Sequence, residues 1–309
     1  MTILITGGAG FIGHNLAIRL CEAEQKVLVV DLVIDDISNK KEEITYLKGD
    51  ISDFNFLEKL FKEYSFKTIF HLAAILPPKT EEDPFRAFKV NCEGTLNILE
   101  LAVKYDIETI IYPSSATVFG PDRKPPFTEE DLLNPWTVYS SFKVCSEIFG
   151  ALYSRKYDLN FRAVRLPVVI GPGRDRLLGM TNYPVEMVEK AIKGQPYVAQ
   201  VEPDTKVPII YIDDAVQVLV NLWRSEQVQF EIYNIDGIWA TAKEIAEGIK
   251  KVIPSAEISF KPVEDEHMHK VLTGLKEKKK ESMFSYRGHR LLDEILQEYI
   301  NRYPSEGND

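Results

Sequence analysis

Strand-like and helix-like stretches alternate along this sequence, which predicts an α/β fold: a doubly wound parallel sheet with helices on both faces, followed by a smaller C-terminal α/β part. Three observations support it. The chain opens on a short, apolar, β-branched run, Ile3–Ile5, that passes through Gly7-Gly8-Ala9-Gly10-Phe11-Ile12-Gly13 into a helical pattern with Leu16, Leu20 and Cys21 at helical spacing. A second apolar strand, Lys26–Val30, follows closely and ends on Asp31. The same cycle then recurs, with strands at Glu43–Lys48, Thr68–His71 and Thr109–Tyr112 separated by amphipathic helices.

The first turn has the geometry of a dinucleotide cradle. Gly7 allows the tight turn, Gly10 allows close approach of a pyrophosphate, and Gly13 lets helix and strand pack closely. The helix opening at Gly10, Phe11, Ile12 and Gly13 presents backbone N–H groups with no intrahelical partner, a ready site for an anion. Asp31 stands eighteen positions after Gly13 at a strand end, where an acid accepts both ribose hydroxyls of NAD and repels the extra phosphate of NADP. The expected cofactor is therefore NAD.

Composition narrows the class. Hydrophobic residues make up 45% and charged residues 27%, as in ordinary globular proteins, and the sequence has no apolar run of the roughly 18 residues that a membrane helix needs. Met1 leads directly into the first strand, so a cytoplasmic protein without a signal peptide is expected. Cys21, Cys92 and Cys145 are odd in number and widely spaced, which suits reduced thiols rather than disulfides or a metal cage. A net charge of -10 disfavours broad contact with nucleic acid or anionic lipid, while a local basic cleft can still bind a phosphate or carboxylate, and the expected partner is a small-molecule substrate.

Further along, Asp50-Ile51 ends a strand and suits contact with an adenine amino group, and a helix spans Phe54 to Tyr64. Leu72-Ala73-Ala74 ends the next strand with small residues that let backbone lie against the cofactor ribose. Phe85 to Lys104 reads as one long helix; Asn91 within it gains no role from pattern alone. Pro113-Ser114-Ser115 lies past the end of Thr109–Tyr112, on the edge where open α/β sheets bind ligands. Tyr139 and Lys143 stand four apart at the start of a helix reaching about Lys156, so they share a face one turn apart. A neighbouring ammonium favours the phenolate, which makes Tyr139 a candidate base near neutral pH. In the tail, a helix is expected over Thr241–Ile253, a strand over Glu257–Lys261 and a last helix over Leu291–Tyr299. Lys276–Lys280 reads as a solvated charge run, and His267 with His269 lacks the partners of a metal site, so no metal is expected.

Taken together, Thr6–Gly13, Asp31, Asp50-Ile51, Leu72-Ala73-Ala74, Asn91, Ser114-Ser115, Tyr139 with Lys143, and Arg165-Leu166-Pro167 before Gly171-Pro172 resemble the extended short-chain dehydrogenase/reductase superfamily, of the NAD-dependent epimerase/dehydratase type. The resemblance implies a Rossmann domain over residues 1–165 and a substrate-binding region over 166–309 from which some strands return to the main sheet. It implies Ser115, Tyr139 and Lys143 as the catalytic trio, a helix-shaping role for Asn91, and Pro167 and Val168 lining the nicotinamide. It also implies a homodimer paired through the helices bearing Asn91 and Tyr139.

Arg165–Pro167, Thr181-Asn182-Tyr183, Val207–Ala215 and Tyr233-Asn234-Ile235 resemble the short-chain type of L-threonine 3-dehydrogenase, which Pro113–Pro121 fits too, with Thr181 a candidate for the substrate's carboxylate or amine. Sugar-nucleotide epimerases usually carry Asn where this chain has Val168 and Arg-Asp where it has Val207-Pro208, polar groups that grip the nucleotide sugar. On the other side, Ile75-Leu76-Pro77-Pro78 lacks the Ser and Gly of threonine dehydrogenases, and Asn182 stands where Asp is expected. The sequence therefore favours oxidation of a secondary alcohol, with L-threonine or another small hydroxy compound as substrate. A nucleotide-sugar 4-epimerase holding NAD tightly is the alternative enzyme, and an NAD-sensing protein without catalysis the alternative class.

Overall fold

The computed structural model describes residues 2–34, 41–120, 127–174, 182–226, 231–261 and 290–303. β1 (Thr2–Thr6) runs through the glycine turn into α1 (Phe11–Glu22), and β2 (Lys26–Asp31) returns beside β1 in register Thr2↔Lys26 to Thr6↔Val30. β3 (Ile44–Lys48), α2 (Phe54–Glu63) and β4 (Phe66–His71) follow. α2 begins where the Asp53 carboxylate accepts the N–H groups of Asn55 and Phe56, and it stops where Tyr64 turns extended.

The next segment departs from expectation. Instead of one helix from Phe85 to Lys104, short helices α3 (Lys79–Glu82) and α4 (Pro84–Phe88) lead through a π turn at Lys89–Glu93 into α5 (Gly94–Lys104). The wider turn contains Asn91, whose side chain is buried and bonded to the backbone of Ile75 rather than exposed. β5 is also longer than expected. It covers Thr109–Ser115, so Pro113, Ser114 and Ser115 belong to the strand and pair with β6 up to Ser115↔Leu166. Proline is tolerated there because pairing with β4 ends at Phe70↔Ile111, and no rung on that side requires its missing N–H.

After a 3-10 turn at Ala116–Phe119 come α6 (Val138–Tyr157), β6 (Asn160–Leu166), β7 (Val168–Ile170), α7 (Tyr183–Ile192), β8 (Tyr197–Ala199) and β9 (Lys206–Tyr211). The chain closes with α8 (Ile212–Arg224), β10 (Glu231–Asn234), β11 (Ile238–Thr241), α9 (Ala242–Val252), β12 (Ile258–Phe260) and α10 (Leu292–Arg302).

These elements form two compact units. The first comprises Met1–Val118, Pro135–Leu166 and Ala215–Asn234, and the second Phe119–Asn134, Pro167–Asp214 and Ile235–Asp309. In the first, seven parallel strands lie in the order β10-β6-β5-β4-β1-β2-β3. The strand order reverses between β4 and β1, and in open α/β sheets the carboxyl ends at such a reversal form the ligand crevice. Leu4, Leu28, Ile69, Ile110 and Phe161, in register across β2, β1, β4, β5 and β6, bury one face under Leu57, Leu60 and Phe61 of α2 and Ile98 and Leu99 of α5. Each such side chain removed from water contributes about 1.5–3 kcal/mol. On the opposite face the Trp223 ring stands edge-on to Phe70 at 6.1 Å, and its indole N–H donates to Thr68.

The second unit holds a three-stranded sheet, β11-β9-β7, and a parallel pair, β12-β8. α10 closes on α9, where Gly248 leaves room for Leu296: a Cβ there would meet Leu296 Cδ1 at 2.6 Å. Arg302 bonds Asp213 at 2.6 Å, tying α10 to the start of α8. Among the described residues no helix is long and apolar enough to cross a membrane.

Candidate active site

The glycine turn is shaped by exclusion. Gly7 has φ +69°, and a Cβ on it would lie 2.5 Å from the Ala73 backbone nitrogen. A Cβ on Gly13 would meet the Gly7 carbonyl oxygen at 2.3 Å, so the helix seats on the strand only with glycine there. Gly10 differs, because a Cβ there would meet only the Gly7 oxygen, at 3.3 Å. Gly10 is the helix N-cap and offers no side-chain bond, and the first intrahelical bond runs from His14 N–H to the Gly10 carbonyl. The N–H groups of Phe11, Ile12 and Gly13 precede that bond and suit a phosphate.

Asp31 braces this turn from the end of β2: its carboxylate accepts the Ala9 N–H at 3.0 Å and the Val33 N–H at 3.4 Å. Burial raises its pKa, and the backbone N–H bonds partly offset that rise. Leu72 donates its N–H to the Thr6 carbonyl, and Ala73 donates to the Thr6 hydroxyl, so the small residues after β4 lie alongside the glycine turn. A cradle that extra Cβ atoms would fill, an uncapped helix start and an acid at the second strand end together fit an NAD molecule.

Asp50 and Ile51 follow β3. Asp50 is engaged by Arg86 at 2.6 Å and by the Ser52 N–H and hydroxyl, bonds that outweigh burial and hold its carboxyl below the usual range. Ile51 is buried against Gly94, and its carbonyl accepts from Asn97. Asn91 accepts the Ile75 N–H at 2.7 Å and donates to the Ile75 carbonyl at 2.9 Å, fixing the loop that continues from Ala74.

The second corner joins β5 to α6. α6 starts at Thr137, which exchanges capping bonds with Ser140, and the Glu81 carboxylate accepts the N–H groups of Val138 and Tyr139 at 3.2 and 3.3 Å. Tyr139 is thus fixed in the first turn. One turn on, Lys143 is buried; its ammonium donates to the Pro113 carbonyl at 2.7 Å and lies 4.4 Å from the Tyr112 ring centroid and 5.7 Å from that of Tyr139. Burial lowers its pKa to about 7, with Glu147 opposing the fall. Ser115 ends β5 two residues beyond Pro113, and its hydroxyl accepts from Thr117 N–H and Oγ1. Lys143, one turn after Tyr139 on α6, therefore meets β5 at Pro113, two residues before Ser115.

Beneath this corner the inner face of the sheet changes from apolar to polar, at Thr6, His71, Ser114, Arg165 and Asn234. His71 bonds Thr6 at 2.7 Å and Thr95 at 3.0 Å, and burial lowers its pKa to about 3, which keeps it neutral. Glu147 and Arg165 form a buried pair at 2.8 Å. Sequence reading quoted Arg165 and Ser114 only within motifs and missed Glu81, His71 and Glu147. For Glu147 a signal was present: it extends the Tyr139, Lys143 spacing by another four residues.

Pro167 lies between β6 and β7 and belongs to the second unit. Thr181, His267, His269 and Lys276–Lys280 fall outside the described residues. Among the described residues no group of three His, Cys, Asp or Glu side chains is placed to hold a metal.

Residues 3–236 match the NAD dependent epimerase/dehydratase family. The chain belongs to that family. As an NAD-dependent epimerase/dehydratase it is an enzyme, and NAD is its cofactor. The mitochondrial L-threonine 3-dehydrogenase of Bos taurus is 28% identical over 265 residues, covering 84% of this chain and 70% of that protein. A GalE-like L-threonine dehydrogenase from Cupriavidus necator, solved in holo form, superposes on 98% of this chain and 100% of its own with a TM-score of 0.83 and 25% identity. The UDP-glucose 4-epimerase of Thermotoga maritima, solved with UDP-glucose, superposes with a TM-score of 0.85 over 97% and 98% of the two chains; at 23% identity it shows the shared fold alone. The doubly wound parallel sheet expected from the sequence is the fold of this family.

Proposed function

We propose that this family member is a dehydrogenase that oxidises the secondary alcohol of a small polar substrate, with L-threonine the first candidate. The observation that carries this reading is the Tyr139–Lys143 pair, seated beside Ser115 at the strand end with the lysine ammonium buried. Two further facts support a small substrate over a nucleotide sugar. Val207 and Pro208 lie buried within β9 and offer no charged side chain to a pyrophosphate, and the Bos taurus relative is a threonine dehydrogenase.

The glycine turn and Asp31 would hold NAD, whose nicotinamide would supply the hydride acceptor for the carbinol carbon. Tyr139, as phenolate, takes the hydroxyl proton, and the Ser115 hydroxyl holds the same oxygen. Lys143 keeps one N–H on the Pro113 carbonyl and has two left, one for the nicotinamide ribose; its charge stabilises the Tyr139 phenolate. Asp31 selects NAD over NADP, and Thr181 meets the substrate's carboxylate or amine.

We also infer a cytoplasmic location and a homodimer, the dimer supported by the exposed Phe85, Phe88, Ile148 and Leu152 on α4 and α6. Sedimentation of a single 35.3 kDa species at working concentration would refute the dimer. The activity is tested by following reduced nicotinamide absorbance with NAD and a panel of L-threonine, related hydroxy acids and UDP-sugars. Steady NADH production from L-threonine or a neighbour supports the dehydrogenase. Interconversion of UDP-glucose and UDP-galactose without net NADH would replace it with the epimerase.

A further inference from the structure

Tyr139 and Lys143 belong to a longer stripe on α6 whose next member, Glu147, also reaches the end of β5. Lys143 binds the Pro113 carbonyl at 2.7 Å, and Glu147 accepts the Ser114 hydroxyl at 2.5 Å, so consecutive residues of the strand are pinned by side chains four apart on the helix. Ser115 comes next on that strand. Glu147 is itself held. Arg165 donates to it through Nε at 3.0 Å and Nη2 at 2.8 Å, both side chains being 2% exposed, and the other arm of Arg165 reaches Asn234 at 3.3 Å. Ser114, Arg165 and Asn234 form one rung across β5, β6 and β10.

We propose that Glu147, clamped by Arg165 and Ser114, is a positioning residue for the catalytic corner: it provides the anion that keeps Lys143 an ammonium and fixes the strand end that carries Ser115. This rests on the roles assigned above to Lys143 and Ser115. The groups that face Lys143 are the Pro113 carbonyl and Tyr112 ring from β5, His71 from β4, and Tyr139 and Glu147 on α6 itself; Cys92 on the π turn faces Tyr112. His71 is neutral, and until Tyr139 ionises Glu147 is the anion of the set. A buried ammonium without such a partner gives up its proton near neutral pH.

The test reads Lys143 directly. In the full-length protein labelled with ¹³Cε-lysine, the Lys143 signal, assigned with Lys143→Met, is followed against pH by NMR. Glu147→Gln keeps an acceptor for Ser114 and removes the charge, and the Lys143 midpoint is expected to fall by at least about one pH unit. From a midpoint about 7, that fall cuts the ammonium fraction at pH 7 roughly five-fold. The alkaline limb of the turnover profile should move to lower pH by the same amount. If Glu147→Gln alone fails to fold, Glu147→Gln with Arg165→Met removes the anion together with its paired cation, and the Lys143 midpoint should still fall, by a smaller amount, because the Arg165 charge that repels the ammonium is lost as well. An unchanged midpoint in the folded variant overturns the proposal. Because the NMR titration needs no substrate, a protein that oxidises none of the panel would refute the dehydrogenase reading and leave this measurement decisive for Glu147.

Discussion

The β1–α1 corner and the β5–α6 corner lie on the same edge of one sheet, yet they are built from opposite materials. At the first, the geometry depends on what is missing: Gly7 and Gly13 have no Cβ where one would lie within 2.5 Å of backbone, and the helix starts without a side-chain cap. At the second, the geometry depends on buried side chains, with Lys143, Glu147 and Arg165 all at most 5% exposed. A steric cradle tolerates no addition, and a charged corner tolerates no deletion. The two should therefore fail in different ways when altered.

The largest effect is expected from unpairing the charged corner. Arg165→Leu leaves Glu147 buried without its partner and should cost about 3–5 kcal/mol of stability in urea unfolding. A loss below about 1 kcal/mol would mean that the pair does not hold this corner. Next comes Tyr139→Phe, which should cut turnover at least ~100-fold and leave NAD affinity nearly unchanged by calorimetry. At the other corner the pattern should reverse. Gly7→Ala, forced to φ +69° against Ala73, should cost about 1–3 kcal/mol and weaken NAD binding at least roughly ten-fold. Intact NAD affinity in that variant would separate the glycine turn from the cofactor.

The smallest effect concerns His71, between the two corners. Its folded pKa, about 3, lies below the ordinary 6.5, so the unfolded chain binds the extra proton between those values. Stability should fall as pH drops below 6.5, by at most about 1.4 kcal/mol per pH unit from this group. Urea unfolding at two pH values about one unit apart inside that window should give a difference about 1 kcal/mol smaller in His71→Gln. Equal differences in the two proteins would mean that His71 does not titrate on unfolding.

This contrast also explains what could be read in advance. The glycine turn and Asp31 are local: spacing along the chain states the steric requirement, and the strand–turn–helix order supplies the context. Tyr139 and Lys143 were visible as a helical spacing, but their partners were not. Which carbonyl receives Lys143, and that Glu81 on a short helix 58 residues earlier caps Tyr139, are matters of tertiary approach with no periodic trace. Asn91 illustrates the same limit. A helical pattern gives an interior Asn no task, and only the loop returning from β4 brings the Ile75 backbone within its reach. β5 runs past Tyr112, where the sequence pattern ends it, because Pro113 sits where one neighbouring strand has already stopped while β6 continues beside it.

The most direct measurement is the rate of NADH formation from L-threonine by the wild-type protein and by Tyr139→Phe, side by side at saturating NAD. Steady NADH production in the wild type, reduced at least ~100-fold in the variant, is the expected result. Undiminished production in the variant would remove Tyr139 from the chemistry. No NADH from L-threonine in either protein, with UDP-glucose converted to UDP-galactose by the wild type, would contradict the dehydrogenase outright.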